Sequence, residues 1–208
     1  MTSSESVFIV FEGPEGAGKT TQIRRLTARL QALDIAPVVT REPGGTAAAD
    51  AVRTVILDPQ LTIGPLAEFL LYSASRAQHV EEVIQPSLSG GRWVISDRFY
   101  GASVAYQGYG RGLELDFIAS LTDRVTGGLE PDIVILLDIE PAKGLQRVAA
   151  RGQKDRLELA DLSFHQRVRT GFLKQAQHNP TWVVFDAGQE ETVLADSIWE
   201  TLNKQLNR

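Results

Sequence analysis

A short glycine-rich segment constrains the fold of this chain more than any other feature of its sequence. Residues 13–20 read GPEGAGKT and match the pattern G-x-x-x-x-G-K-[ST]. The segment follows an apolar run at residues 7–11 and precedes a stretch in which Ile23, Leu26 and Leu30 repeat at helical spacing. In such a strand, loop and helix, backbone N–H groups and the helix N-terminus converge on phosphate oxygens. The sequence therefore predicts an α/β protein that binds a nucleotide phosphate.

Further apolar runs alternate with amphipathic stretches along the chain. The predicted buried strands are residues 7–11, 38–40, 93–96, 133–137 and 182–185. Beyond the first helix, the predicted helices are a long one over residues 65–85 that stops near Pro86, and others at 114–126, 141–150, 162–177 and 192–206. This alternation predicts a doubly wound parallel sheet, with ligands at the carboxyl ends of the strands. The length of 208 residues and the absence of a linker predict a single domain spanning residues 1–208.

Composition narrows the set of partners. The formal net charge of −5 argues against a general affinity for nucleic acid or anionic membranes. No stretch approaches the roughly 18 continuous apolar residues that a membrane span needs, and the short polar start of the chain does not resemble a signal peptide. We therefore expect a cytoplasmic location and neither a nucleic acid nor a membrane partner. The chain has no cysteine, and its three histidines lack metal-ligand spacing.

The glycine-rich segment supplies the first candidate site residues. Lys19 is expected to reach the β- and γ-phosphates of ATP, and the Thr20 hydroxyl is expected to bind Mg²⁺. A carboxylate beside a triphosphate would be repelled, so we expect Glu15 to point towards a second substrate. The predicted ATP-binding residues are Gly13, Pro14, Glu15, Gly16, Ala17, Gly18, Lys19, Thr20 and Thr21.

Two other classes of phosphate-binding protein fit the sequence less well. A regulatory GTPase would need an Asn-Lys-x-Asp guanine reader, but the chain's Asn203-Lys204 is followed by Gln205 and Leu206 in a predicted terminal helix. A P-loop ATPase would carry a water-activating glutamate beside its strand-end carboxylate. Here the strand-end carboxylates Asp97 and Asp138 are followed by arginine and isoleucine. An arginine in that place suits the capture of a second anion beside ATP.

Four separated motifs carry a closer resemblance. They are EGPEGAGKTT at residues 12–21, REPGGT at 41–46, DRF at 97–99 with AYQG at 105–108, and RGQKDRLE at 151–158. In this order and spacing the chain resembles the thymidylate kinase family. The resemblance implies a three-layer P-loop kinase fold with a five-stranded parallel sheet flanked by helices, and a short basic lid at about residues 147–160. It also implies phosphoryl transfer from ATP to dTMP with Mg²⁺, and a homodimer.

The resemblance also assigns roles to individual residues. It implies that Asp97 lies near the Mg²⁺ with Thr20, that Tyr72 stacks on thymine, and that Tyr106 blocks the place of a 2′-hydroxyl. The Glu42–Pro43 bond is expected to be cis. The implied catalytic residues are Lys19, Asp97, Arg98, Arg151 and Arg156. The implied dTMP-binding residues are Glu15, Arg41, Pro43, Tyr72, Arg76, Arg98, Ser103, Tyr106 and Gln107.

Without the family, several of these residues have plainer interpretations. Arg41 fits a tight turn, Tyr72 fits the core, and Arg76 fits a surface ion pair. The basic segment 147–156 fits a solvated loop, with Lys154 and Arg147 as reserve lid cations. A kinase for another nucleoside monophosphate or a deoxynucleoside remains an alternative activity. A nucleotide-dependent switch or assembly ATPase is the alternative from a different class.

Overall fold

A parallel sheet of five strands forms the centre of the protein. The computed structural model describes residues 6–150, 152 and 155–206. Within these residues the strands are β1 (Phe8–Glu12), β2 (Val38–Arg41), β3 (Val94–Asp97), β4 (Ile133–Asp138) and β5 (Trp182–Asp186). Their order across the sheet is β2-β3-β1-β4-β5, and every neighbouring pair is parallel. The predicted α/β fold with a five-stranded parallel sheet is therefore confirmed.

The two faces of β1 explain the three layers. The helices that cover the sheet are α1 (Lys19–Gln31), α2 (Ala47–Leu57), α3 (Pro65–His79), α4 (Gln85–Ser89), α5 (Tyr100–Ser103), α6 (Leu115–Thr126), α7 (Pro141–Ala149), α8 (Leu162–His178) and α9 (Glu191–Leu206). Ile9 and Phe11 belong to a core shared with α1 and α9. Phe8 and Val10 belong to a core shared with α2, α3 and α8. Alternate residues of a strand point to opposite faces, so helices cover both sides. No helix in the described part of the chain is long and apolar enough to cross a membrane.

The strand register places the functional motifs at one edge of the sheet. Phe11 pairs with Asp97, and Asp97 pairs with Arg41 on the other side. The residues that follow β1, β2 and β3 therefore emerge side by side. A site built from loops distant in sequence follows from this alignment of parallel strands.

The long helix after Pro65 differs from its prediction at the C-terminal end. Helix α3 is followed by a π-helical turn, Val80–Ile84, and then by α4, which contains Pro86. The prediction that the helix stops near Pro86 was therefore wrong. Proline has no N–H to donate, but its fixed φ suits the first turn of a helix, and Pro86 lies in the first turn of α4. The π-helical turn lets the helical path continue past this residue.

Two helical segments near the site were not predicted. Helix α2 begins after Thr46, whose hydroxyl accepts a hydrogen bond from the Ala49 N–H at 3.1 Å. Helix α5 continues into a π-helical segment, Val104–Gly110, which is rich in glycine and aromatic residues. Such a composition predicts no helix by itself. This segment packs closely against α8, which supplies the burial that its sequence does not indicate.

Candidate active site

The loop between β1 and α1 has the shape of a phosphate cradle. Gly13 has a φ of +142°, and a Cβ there would lie 2.3 Å from the Leu137 carbonyl oxygen. Gly16 has a φ of +72°, and a Cβ there would lie 2.2 Å from the Gly144 oxygen. Only glycine fits both positions. Helix α1 begins after Gly18 without a side-chain cap, so its first N–H groups are available to an anion.

Lys19 folds back over this loop. Its Nζ lies 3.3 Å from the Gly13 oxygen and 3.4 Å from the Pro14 oxygen, and the side chain is buried. Burial and the positive charge of Arg98 lower the pKa of Lys19. Both contacts are long for hydrogen bonds, so phosphate oxygens would be stronger partners for this ammonium group.

The two predicted magnesium ligands lie close together. Thr20 Oγ1 and Asp97 Oδ2 are 3.4 Å apart, and both residues line the cleft in front of the loop. No cluster of three or more histidine, cysteine or acidic residues with metal-binding geometry occurs in the described ranges. A hydroxyl and one carboxylate leave room for phosphate oxygens and water, which is how Mg²⁺ is usually held beside a nucleotide. The residues present therefore fit the ion.

A cleft of about 280 Å³ joins this cradle to the predicted acceptor side. The predicted residues that line it are Glu15, Gly16, Ala17, Gly18, Lys19, Thr20, Thr21, Arg41, Pro43, Tyr72, Asp97 and Arg98. The structure thus brings together motifs that are up to about eighty residues apart in the chain. Arg53 also lines the cleft, and its Nη1 donates to the Pro43 oxygen at 2.8 Å. Sequence analysis missed Arg53 because it lies on the unpredicted helix α2.

Arg98 lies at the centre of the cleft. Its Nη1 donates to the Gly13 oxygen at 2.9 Å, and its Nη2 contacts Glu15 Oε1 at 2.9 Å and the Tyr106 hydroxyl at 3.1 Å. The Tyr106 hydroxyl in turn donates to Glu15 Oε1 at 2.6 Å. Burial opposes ionisation of Glu15, but Arg98, Lys19 and the Tyr106 hydrogen bond lower its pKa to about 2. Glu15 is therefore an anion, and it already forms an ion pair with the guanidinium group of Arg98.

The backbone of Arg98 has an unusual conformation that Glu12 supports. Arg98 has a φ of +77°, which is costly for a residue with a side chain. Directly after it, Glu12 Oε1 accepts hydrogen bonds from the Phe99 and Ala102 N–H groups, both at 3.0 Å. Burial raises the pKa of Glu12 to about 7, against the opposing effect of Arg98. Sequence analysis assigned no role to Glu12, although it ends the first strand next to the cradle.

A smaller cavity adjoins this cleft on the side where the base is predicted to bind. The residues that line it are Glu15, Tyr72, Arg98, Ala102, Ser103, Tyr106, Gln107 and Leu157. Besides Arg98, five of the predicted dTMP-binding residues therefore line this cavity. Tyr72 is buried, as the core interpretation expects, yet it also lines both cavities. Leu157 comes from the end of the lid segment and was not predicted as a site residue.

Arg76 is held beside this cavity by a buried network. Its Nε donates to Glu42 Oε2 at 2.8 Å, and its Nη2 contacts the Phe99 oxygen at 3.2 Å and Ser103 Oγ at 3.1 Å. The side chain is only 1% exposed, so its ion pair is not a surface pair. Its Nη1 has no hydrogen-bond partner within the described ranges. The Glu42–Pro43 peptide bond next to this network is cis, as the resemblance implies.

The two predicted lid cations that the structure describes, Arg147 and Arg156, lie apart from each other. Arg151 and Lys154 lie outside the described residues. Arg156 is directed to a buried carboxylate, with its Nη2 2.6 Å from Glu68 Oε2, and its Nε donates to the Ile56 oxygen at 2.9 Å. Arg147 Nη1 contacts the Gly16 oxygen at 3.3 Å and the Ala187 oxygen at 3.1 Å. The structure therefore does not bring Arg156 to the cradle.

A second cleft lies on the other side of the cradle. It has a volume of about 400 Å³ and is lined by Gly16, Ala17, Gly18, Thr21, Gln22, Arg147, Ala187, Gln189, Glu191 and Leu194. The loop after β5 contributes part of its wall. This cleft shares three glycine-loop residues with the first, so a nucleotide could extend from one to the other.

The fold and the cradle define a class of protein, and the comparisons define the family. The protein has a parallel sheet flanked by helices, with a Walker A loop on one side of a cleft and arginines on the other. This is the architecture of a P-loop nucleotide kinase. The family model described as thymidylate kinase matches residues 11–198. The chain belongs to the thymidylate kinase family.

Individual relatives agree with this assignment over nearly their whole lengths. Thymidylate kinase from Deinococcus radiodurans is 55% identical over 97% of this chain and 98% of the relative. Thymidylate kinase from Carboxydothermus hydrogenoformans is 48% identical over 93% of each chain. The crystal structure of thymidylate kinase from Ehrlichia chaffeensis has a TM-score of 0.77 and 33% identity, and covers 95% of this chain and 98% of that one.

Proposed function

We propose that this chain transfers the γ-phosphoryl group of ATP to the phosphate of dTMP and so forms dTDP. Family membership supports the reaction. The single observation that carries the assignment of the site is the shared cleft, which has the phosphate cradle on one wall and Arg41, Arg98 and Tyr72 on the other. ATP phosphates bound by Lys19 and the α1 N-terminus would face a monophosphate bound by the two arginines.

The acceptor needs no general base. The second pKa of a phosphate monoester is about 6, so the dTMP phosphate is mostly a dianion at neutral pH and is already nucleophilic. The main barrier is the repulsion between two polyanions that must meet in line. Lys19, Arg41 and Arg98 offset this repulsion from fixed positions. Mg²⁺ held by Thr20 and Asp97 would neutralise phosphate charge on the ATP side.

Arg98 is proposed to exchange partners when dTMP binds. In the described structure Glu15 and the Gly13 carbonyl hold its guanidinium group. A dianionic phosphate accepts two parallel hydrogen bonds from arginine and is the stronger partner. Glu15 would then be available to the sugar 3′-hydroxyl, while Tyr106 beside it would exclude a 2′-hydroxyl.

The base is proposed to enter the smaller cavity. Tyr72 would stack on thymine, and Pro43 would meet its methyl group from the side of the larger cleft. Arg76, Ser103 and Gln107 would supply polar contacts at the ring edge. The unpartnered Nη1 of Arg76 is a donor that a thymine carbonyl could satisfy.

The lid is proposed to supply the last cations. The variable positions of the cradle, 14–17, contain none, so charge on the transferring group must come from elsewhere. Arg151 and Arg156 are the proposed source, and Arg156 would have to leave Glu68 when the lid closes. Alanine at either position should lower kcat more than it raises KM, because a contact made only in the transition state is lost. Normal kcat in both variants would exclude this role.

The second cleft is proposed to hold the adenine of ATP. It continues from the cradle and includes Arg147, whose planar guanidinium could stack on a purine. The reaction is proposed to occur in the cytoplasm, where both nucleotides are available.

A homodimer is also proposed. Leu66 and Leu70 lie four residues apart on α3 and are about half exposed, and Phe117 on α6 is 40% exposed nearby, in contact with Phe69. These side chains would be covered by a second copy of the chain. Sedimentation should show a dimer that Leu70→Glu dissociates. Leu33→Glu, at another exposed leucine, should leave the dimer intact.

One coupled assay tests the proposed reaction. We expect ADP release with dTMP to exceed that with AMP, GMP or CMP by at least about 100-fold in kcat/KM, as expected where buried polar groups read the base. Thymidine should be as poor a substrate, because it lacks the phosphate that Arg41 and Arg98 are proposed to bind. Preference for thymidine would favour a deoxynucleoside kinase. ATP hydrolysis that is fast and indifferent to dTMP would favour a switch or assembly ATPase.

A further inference from the structure

Glu68 is a buried carboxylate that the proposed reaction does not use. It lies in the first turn of α3 and is fully buried. Its Oε1 accepts from Gln107 Nε2 at 2.8 Å and from Arg111 Nε at 3.3 Å. Its Oε2 contacts Arg111 Nη2 at 3.2 Å and Arg156 Nη2 at 2.6 Å. The carboxylate thus joins the lid segment to one wall of the base cavity.

The contact with Gln107 fixes the orientation of that amide. A side-chain amide has one arm that donates and one that accepts, whereas a carboxylate only accepts. The nitrogen arm of Gln107 must therefore face Glu68, which leaves the oxygen arm for a ligand. Gln107 is 1% exposed and lines the base cavity, so the amide has little freedom to adopt other positions.

We propose that Glu68 is a positioning residue for base selection, because it makes Gln107 present a hydrogen-bond acceptor to the base. Thymine and uracil carry a donor at N3, whereas cytosine carries an acceptor there. An acceptor oxygen in the cavity pairs with the first two and leaves the third unpaired. The inference rests on the proposed dTMP kinase function and concerns how the same site excludes cytosine nucleotides.

Replacement of Glu68 by glutamine should invert this arrangement. The introduced amide would have one acceptor oxygen, and Arg111, joined by Arg156 while the lid is open, would attract it more strongly than Gln107 does. Its NH₂ group would then face Gln107, whose oxygen would turn towards it. The nitrogen of Gln107 would be presented to the base, and it would suit cytosine N3 better than thymine N3–H.

The test compares two nucleotides that share the 5-methyl group. They are dTMP, which has a donor at N3, and 5-methyl-dCMP, which has an acceptor there. In the wild-type protein, kcat/KM for 5-methyl-dCMP should be at least about 10-fold below that for dTMP, because the Gln107 oxygen would face an acceptor. In Glu68→Gln the ratio of 5-methyl-dCMP to dTMP should rise at least about 10-fold.

Arg111→Met is the matched control. Arg111 contacts the same carboxylate and lies over the Phe164 ring at 4.4 Å, but it makes no contact with the Gln107 amide in the described structure. The variant should lower Tm and leave the ratio of 5-methyl-dCMP to dTMP within about 3-fold of wild type, because the amide stays fixed. Equal changes in both variants would show that Glu68 acts only through stability.

Two further outcomes would overturn the inference. Equal kcat/KM for dTMP and 5-methyl-dCMP in the wild-type protein would show that no acceptor reads N3, and this measurement holds even if Glu68→Gln does not fold. An unchanged ratio in a folded Glu68→Gln protein would show that the carboxylate does not set the amide. Failure of the proposed function is distinct, since the wild-type protein would then not phosphorylate dTMP at all.

Discussion

The two ends of the cleft hold their arginines in different ways. At the phosphate end, Arg98 is 14% exposed and bound to groups that a phosphate can replace, namely Glu15 and the Gly13 carbonyl. At the base end, Arg76 is 1% exposed and bound to Glu42, Ser103 and the Phe99 carbonyl, with one nitrogen left over.

This difference shows how one site can exchange contacts when a substrate binds and still discriminate between bases. On the proposed assignment, the contacts of Arg98 at the phosphate end are ones that the substrate would replace, so binding would exchange one set of charge-assisted hydrogen bonds for another. At the proposed base end, the network around Arg76 leaves one nitrogen without a partner in the described residues. Its polar groups therefore cannot adapt to a wrong base without losing a buried partner.

The strongest test of the contrast is Arg98→Ala. We expect kcat/KM for dTMP to fall by about 10³-fold or more, because the main contact with the acceptor phosphate is removed. ATP affinity should change little, since Lys19 and the α1 N-terminus remain. Steady-state kinetics with dTMP and titration with an ATP analogue would measure both. Activity within about 10-fold of wild type would mean that Arg98 does not bind the acceptor phosphate.

Substitution of Arg76 at the base end should lower the stability of the protein. Arg76→Leu leaves Glu42 as a buried carboxylate without its arginine, so the free energy of unfolding should drop by about 3–5 kcal/mol. Arg41→Leu is the control, because the Arg41 side chain is 57% exposed and should change stability by about 0.5 kcal/mol or less. Urea denaturation would report both values. Equal losses would contradict the distinction between a fixed and an exchangeable arginine.

The pH dependence of stability tests the role of Glu12, the buried residue that supports the backbone next to Arg98. The pKa of Glu12 is raised by burial from 4.5 to about 7, so the folded state binds more protons than the unfolded state between these values. Stability contributed by this group is therefore present below pH 4.5 and is lost as pH rises to about 7. Compared with Glu12→Gln, the wild-type protein should lose up to about 3 kcal/mol over this window.

Urea denaturation at several pH values, with both proteins, would measure that difference. Parallel stability curves from pH 4.5 to 7.5 would show that Glu12 does not titrate in the folded state over this range. Glu15→Gln is a useful comparison. The pKa of Glu15 is lowered to about 2, so its stabilising contribution should be lost only below pH 4.5.

The smallest expected effect concerns the thymine methyl group. A hydrophobic contact with one methyl group changes transition-state binding by about 1–3 kcal/mol, so dUMP should remain a measurable substrate. Leu157→Ala, which alters the cavity wall without touching a polar group, should change kcat/KM for dTMP and dUMP alike. Competition between the two nucleotides would measure the ratio. Complete rejection of dUMP would mean that the methyl group is read by more than a hydrophobic contact.

Most residues of the proposed phosphate end could be named from the sequence alone. The glycine pattern, Lys19, Thr20 and the strand-end pair Asp97 and Arg98 are local features, and each has a chemical meaning at its own position in the chain. Parallel strands then place these features side by side, which the alternation of apolar runs also predicts.

Only the tertiary structure determined the partners at the base end and the support beneath Arg98. Glu42 lies beside Arg76, Glu68 beside Gln107 and Arg156, and Glu12 beneath Arg98. These contacts join residues 34 to 88 positions apart, across helices that were partly unpredicted. A buried carboxylate cannot be distinguished from other acidic residues in a sequence, because its role depends on the hydrogen-bond donors that folding places around it. Local sequence thus determined where phosphate is proposed to bind, and packing determined which groups surround the proposed base cavity.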